Sequence, residues 1–112
     1  IYSNNNNNSI GQEHINEAIR YLEHIIQKDT KAKDPAIHNY LISLYCQQND
    51  ETRLLKFIEN QESLIKNKKQ TKTIFDIKYA LRLCHQGNKI KSCVKLYKIM
   101  KLYEEAIRLA LT

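Results

Sequence analysis

The side chains best suited to chemistry in this chain are three cysteines, Cys46, Cys84 and Cys93, and four histidines, His14, His24, His38 and His85. Thiolates and imidazoles together form the usual zinc ligand set, but a closed zinc site contains a pair separated by roughly two to four residues, and none of these residues is so spaced. Cys84 and His85 are adjacent, and neighbouring side chains on a helix point about 100° apart. Core thiols and surface histidines are therefore the expectation, with no metal and no other cofactor. Nucleophilic catalysis would require a base and an oxyanion site beside a cysteine or serine, and the isolated Gly11 and Gly87 build neither a strained elbow nor a phosphate loop. The paired carboxylates Glu104 and Glu105 fall where the apolar spacing starts a helix near Tyr103. Acids favour the positive end of a helix dipole, so capping accounts for them without catalysis. No catalytic residue is assigned, and the chain is not expected to be an enzyme.

Charge supplies the one candidate binding feature. The formal net charge is +6, yet the stretch from Lys66 to Lys101 holds eleven Lys and Arg against the single acid Asp76. Within it, Lys91, Lys95 and Lys98 share one helical face and form a candidate partner-binding basic face. Phosphates would suit such a face, with Tyr79 or Tyr103 for stacking. The stretch is nearly devoid of arginine, however, which grips phosphate in bidentate geometry. An acidic protein or lipid surface is thus favoured over nucleic acid.

These residues must be positioned by helices. Ser3 to Ser9 is an asparagine-rich tract with no side chain suited to a core, so residues 1–11 are read as low-complexity and disordered. From Gln12, Ile15, Ala18, Ile19, Leu22, Ile25 and Ile26 recur at helical spacing up to about Asp29. Residues 30–34 connect to a second helix, started by Asp34 and Pro35 and carrying Ile37, Leu41, Leu44 and Tyr45 inward. Asp50 caps a third helix, and a weaker fourth segment spans Ser63 to Lys66. After a lysine-rich loop at 66–71, Thr73 and Asp76 stand at capping-box spacing before a helix with Ile77, Ala80, Leu81 and Cys84 inward, ending at Gly87 and Asn88. A sixth helix, Lys89 to Met100, should turn Ile90, Cys93, Val94 and Tyr97 inward, and a seventh from Tyr103 should bury Ala106, Ile107 and Ala110. Most tyrosines fall at or beside core positions, where packing is the default.

Short amphipathic helices joined by tight punctuation are the pattern of an α-solenoid, and NEAIRYLE at Asn16 to Glu23 is echoed by EEAIRLAL at Glu104 to Leu111. Residues 12–112 are expected to be all-α: antiparallel helical hairpins stacked as a superhelix. The 112 residues, 42% of them apolar, suit one small domain that leans on neighbouring segments. Beginning at Ile1 and stopping within a helical pattern, the chain reads as an excerpt of a longer protein. No apolar run approaches the roughly 20 residues of a membrane-spanning helix. An odd number of cysteines inside helical patterns argues against a disulfide framework and fits a reducing, cytosolic setting.

Three blocks, AIHNYLISLYC at Ala36 to Cys46, FDIKYALRLC at Phe75 to Cys84 and LYEEAIRLAL at Leu102 to Leu111, resemble the vacuolar protein sorting-associated protein 18 family in its clathrin heavy-chain repeat region. The resemblance covers about residues 14–111. It implies a non-enzymatic scaffold segment of a HOPS or CORVET membrane-tethering subunit in endosome-to-vacuole or lysosome trafficking. The implied partners are other tethering subunits and a Sec1/Munc18-type protein, with indirect membrane contact from the cytoplasmic side. A clathrin-like coat or generic helical-repeat module, and a basic RNA-binding repeat, are the alternatives. The asparagine run and the lysine-rich loop depart from the family pattern.

Overall fold

The structure is a computed structural model that describes residues 2–28 and 33–111, with side chains from residue 11 onward. It contains α1 (Tyr2–Lys28), α2 (Pro35–Gln47), α3 (Thr52–Lys66), α4 (Ile77–Gln86) and α5 (Ile90–Leu111), and no strand among the described residues. The all-α expectation holds, with five helices in place of six or seven. Neither α3 nor α5 contains glycine or proline. The shifts in apolar spacing near Ser63 and Lys101 therefore move the packed stripe around a continuous helix without breaking it. The backbone of the asparagine tract continues α1: once Ile15 to Ile26 anchor a helix, extending it adds one hydrogen bond per residue and needs no core. Most of the expected 30–34 connection lies outside the described residues.

Short polar residues set the helix starts. Asp34 Oδ1 accepts from the Ala36 N–H at 3.0 Å with Pro35 in the first helical turn, and Asp50 Oδ1 accepts from the Thr52 N–H at 3.0 Å. Asp76 caps α4 by accepting from the Lys78 and Tyr79 N–H groups. Thr73 does not share that cap as expected, because its hydroxyl donates to the Phe75 carbonyl at 2.8 Å. At the end of α4 the left-handed residue is Asn88, with φ 55°, and not Gly87, whose φ is −92°. A Cβ on Gly87 would stand 3.4 Å from the carbonyl oxygens of Cys46 and Leu83.

Residues 48–51 join α2 to α3 and residues 87–89 join α4 to α5, connections short enough to force antiparallel hairpins. The hairpins stack helix on like helix, α2 against α4 and α3 against α5, while α1 lies on α2. They point the same way: Asn39, early in α2, meets Asp76 at the start of α4, and Cys46 meets Cys84 near both ends. Ile19, Leu41, Ile42, Tyr45, Leu54, Ile58, Phe75, Ala80, Cys84, Leu96 and Ile99 form the shared core. The radius of gyration is 15.7 Å. A compact domain of this length would measure about 13 Å, so the molecule is elongated.

The expected inward faces of α2 and α4 are observed, with Ile37, Ile77 and Leu81 half-buried at their margins. On α5 the expectation fails for all but Cys93. Ser92, Cys93, Leu96 and Ile99 are buried, while Ile90, Val94 and Tyr97 face outward, as do Ala106, Ile107 and Ala110. Fully buried Leu96 and Ile99 fix the inward face, and Ser92 beside them donates from both its N–H (2.7 Å) and its hydroxyl (2.8 Å) to Glu51 Oε2. Ala18 packs against the core, but its echo Ala106 is exposed.

Glu51 thereby caps α5 from the preceding hairpin, and Lys89 Nζ returns the contact by donating to the Gln48 carbonyl at 2.6 Å, at the end of α2. Glu51→Ala leaves two part-buried donors without their acceptor and should lower the unfolding free energy in urea by about 1–3 kcal/mol. Ser92→Ala, which loses only the hydroxyl, should lower it less. Tyr45 is buried and donates to Glu23 Oε2 at 2.6 Å; burial first, then this bond, raise its phenol pKa well above the ordinary value. A raised folded-state pKa means the stabilisation is complete below the unfolded tyrosine value, near 10, and is lost as pH climbs beyond it. Thermal melts from pH 8 to 11 should therefore show a steeper alkaline loss of stability for the native protein than for Tyr45→Phe.

Candidate interaction surface

The three lysines of the expected basic face occupy different environments. Lys91 and Lys98 are exposed on α5. Lys95 is three-quarters buried and stands 3.4 Å from Glu62 Oε1 and 3.6 Å from Glu59 Oε2, both on α3. The Glu62 side chain is only 8% exposed, so its charge needs that partner, with Lys66 a second cation at 3.8 Å. Lys95 thus joins two helices of the stack, and the charge open to a partner is smaller than the sequence count implies.

The thiols lie between the hairpins. Cys84 and Cys93 are buried, Cys46 is half-buried, and all three are free. Cys46 Sγ stands 3.9 Å from Cys84 Sγ. The hydrogen bond from Cys84 lowers the Cys46 pKa, assisted by the Lys89 charge, while that bond and burial raise Cys84. Burial likewise raises Cys93. Among the described residues no group of three or more His, Cys, Asp or Glu is arranged to hold a metal. His14, His24 and His85 are on the surface as expected, and His85 Nε2 meets the Tyr97 hydroxyl at 3.0 Å. His38 is the exception, 2% exposed with its ring 5.6 Å from that of Phe57. The buried side of α2 is wide enough to include it alongside Leu41 and Ile42. Glu104 and Glu105 sit in the interior of α5 and are exposed, so a solvated surface, not a helix start, explains them. Tyr45 is core, Tyr79 and Tyr103 are half-buried, and Tyr21, Tyr40 and Tyr97 are more than half exposed.

A second basic region surrounds a groove of about 730 Å³ between the start of α2 and the 67–76 loop. Lys33 comes from the segment before α2, and Lys68, Lys69 and Lys72 come from the loop; all four are exposed. The loop is tied to three helices through its backbone. The Thr73 N–H donates to the Tyr103 hydroxyl at 2.6 Å, the Ile74 N–H to Gln61 Oε1 at 3.1 Å, and the Asp76 N–H to Asn39 Oδ1 at 2.7 Å. Gln61, Asn39, Glu51 and Lys89 are positioning residues with no signal in the sequence, since each reaches a partner between 13 and 41 positions away.

Charge reversal separates the two kinds of lysine on α5. Lys95→Glu places a third carboxylate beside Glu59 and buried Glu62 and should lower stability by about 1–3 kcal/mol in urea titrations. Lys91→Glu and Lys98→Glu should each stay within about 0.5 kcal/mol of the native protein.

The stacked antiparallel hairpins are the architecture of helical-repeat proteins. The family model described as "VPS18, alpha-solenoid domain, second half" matches residues 1–112. A zebrafish (Danio rerio) protein named vacuolar protein sorting-associated protein 18 homolog is 43% identical over 97 residues, 87% of this chain and 9% of its own length. An Arabidopsis thaliana vacuolar sorting protein 18 is 40% identical over 85% of the chain and 9% of its own length. The fission yeast vacuolar membrane protein pep3 is 35% identical over 86% of the chain and 10% of its own length. The chain therefore spans about a tenth of these relatives. No solved structure matches it. The chain belongs to the VPS18 family and corresponds to the second half of its α-solenoid domain.

Proposed function

We propose that this segment is a non-enzymatic scaffold within a VPS18-type subunit of a HOPS- or CORVET-like tethering complex, acting in endosome-to-vacuole or lysosome trafficking and vesicle fusion. The observation that carries the reading is an open apolar strip on a family-matched solenoid. Ile90, Val94 and Tyr97 follow one face of α5 and are 70%, 49% and 52% exposed. A repeat stack presents such a face to the next helical layer or to another subunit. Its charged groups support the same role, because Glu51, Lys89 and Lys95 are engaged in joining helices. Lys91 and Lys98 are the lysines of the α5 basic face left to meet acids on a partner.

The partners under this reading are other propeller-and-solenoid subunits and a Sec1/Munc18-type protein, reached through the full-length protein. No described helix is long and apolar enough to cross a membrane. Contact with late endosomal, vacuolar or lysosomal membranes is accordingly assigned to partners, from the cytoplasmic side. Affinity purification of the tagged full-length protein from its own cells, followed by mass spectrometry, tests this. Recovery of tethering subunits with a Sec1/Munc18-type protein is the expected outcome; clathrin light chain or ribonucleoprotein in their place would overturn it.

A further inference from the structure

We propose that the groove between the start of α2 and the 67–76 loop binds an acidic linear peptide segment of a partner protein, a site separate from the α5 face and independent of which complex the parent joins. Charge is the first argument. Lys33 approaches from one side and Lys68, Lys69 and Lys72 from the other, all exposed. Asp76 is the one carboxylate among the described residues lining the groove, and it is occupied in capping α4 through the Lys78 and Tyr79 amides. Among the described residues no ion pair joins Lys33, Lys68, Lys69 or Lys72 to a carboxylate, unlike Lys95.

Shape is the second argument. The space, about 730 Å³, lies within the range of specific binding pockets. Between the lysines it is lined by Pro35, Ile74, Ile77 and Tyr103, the last three half-buried. A recessed apolar lining beneath a cationic rim suits a chain that places acids on the rim and an apolar side chain in the recess. A flat bilayer would meet the rim and leave the recess empty. Nucleic acid is disfavoured because no arginine lines the groove and the Tyr103 hydroxyl is already bonded to Thr73.

Rigidity is the third. The loop backbone is pinned to α2, α3 and α5 at Asp76, Ile74 and Thr73, so its lysines project from a fixed frame. Preorganisation of this kind lowers the ordering cost of binding. None of these three anchors uses a lysine side chain, which makes the charges removable without loosening the loop.

The test is fluorescence anisotropy of a labelled Asp-Glu-Asp-Phe-Glu-Asp-Glu peptide titrated with the full-length protein. The double variant Lys69→Glu/Lys72→Glu leaves Lys68 undisturbed at its φ of 60°. It should weaken binding by at least about tenfold, and Lys33→Glu on the opposite rim should weaken it several-fold. Lys91→Glu/Lys98→Glu should leave affinity within about twofold, and replacing Phe by Ser in the peptide should weaken it. Circular dichroism checks that each variant stays helical; should the double variant unfold, Lys33→Glu alone decides. Equal weakening by the α5 variant, no dependence on Lys33, or binding to phosphatidylserine vesicles or single-stranded RNA but not to the peptide would overturn the proposal. Because the readout uses a defined peptide, its failure leaves the tethering assignment intact, and loss of tethering partners in the purification does not affect it.

Discussion

Polar groups at the ends of a helix have no partner within that helix, and the rest of this structure depends on where they find one. At one end of the stack, Glu51 accepts from the Ser92 backbone and hydroxyl while Lys89 donates to the Gln48 carbonyl. The turn of one hairpin thus caps a helix of the next, and the next returns the contact. At the other end, Gln61, Asn39 and the Tyr103 hydroxyl accept from loop amides at Ile74, Asp76 and Thr73. Apolar burial would tolerate some sliding of one hairpin over another, since it is not directional. Hydrogen bonds at both ends set the register, because a slip would strand buried donors.

The same requirement acts on the inward face of α5. That face carries Leu96 and Ile99, both fully buried, with Cys93, and it leaves Ile90, Val94 and Tyr97 outside. Ser92, on the same face, shares the Glu51 carboxylate, and a carboxylate held between hairpins without donors would be costly. The resulting apolar strip, Ile90, Val94 and Tyr97, lies on the outside of α5.

Local features were therefore legible in the sequence and long-range ones were not. Asp34 with Pro35, Asp76 before Ile77 and Asn88 after Gly87 mark helix ends by rules acting over a few residues, and all three act there. The stripes of α2 and α4 were readable because both helices are packed along their length. α5 was misread twice: as two helices, because its apolar period drifts near Lys101, and in its buried face, because that face is set by packing on α3 and α4 and by the contact with Glu51, 41 positions earlier. Thr73 was misplaced as a cap for a related reason, since the loop's own turn engages its hydroxyl first. The basic face was legible only as a count of lysines. Whether Lys95 is free or paired depends on α3 lying alongside α5, which no spacing reveals.

The same distinction governs how the basic charge should be read. Lys89 is almost fully buried on a carbonyl, Lys95 is held by two carboxylates, and Lys66 sits near Glu62, so part of the excess between Lys66 and Lys101 is spent inside the stack. Of the rest, Lys91 and Lys98 stay exposed on α5, while Lys68, Lys69 and Lys72 face Lys33 across a groove whose one lining carboxylate among the described residues, Asp76, caps α4. A uniform cationic surface would attract any polyanion through a screened, long-range field. Charge confined to the rim of a pinned, partly apolar groove discriminates by fit, because only an occupant that fills the recess gains burial along with neutralisation.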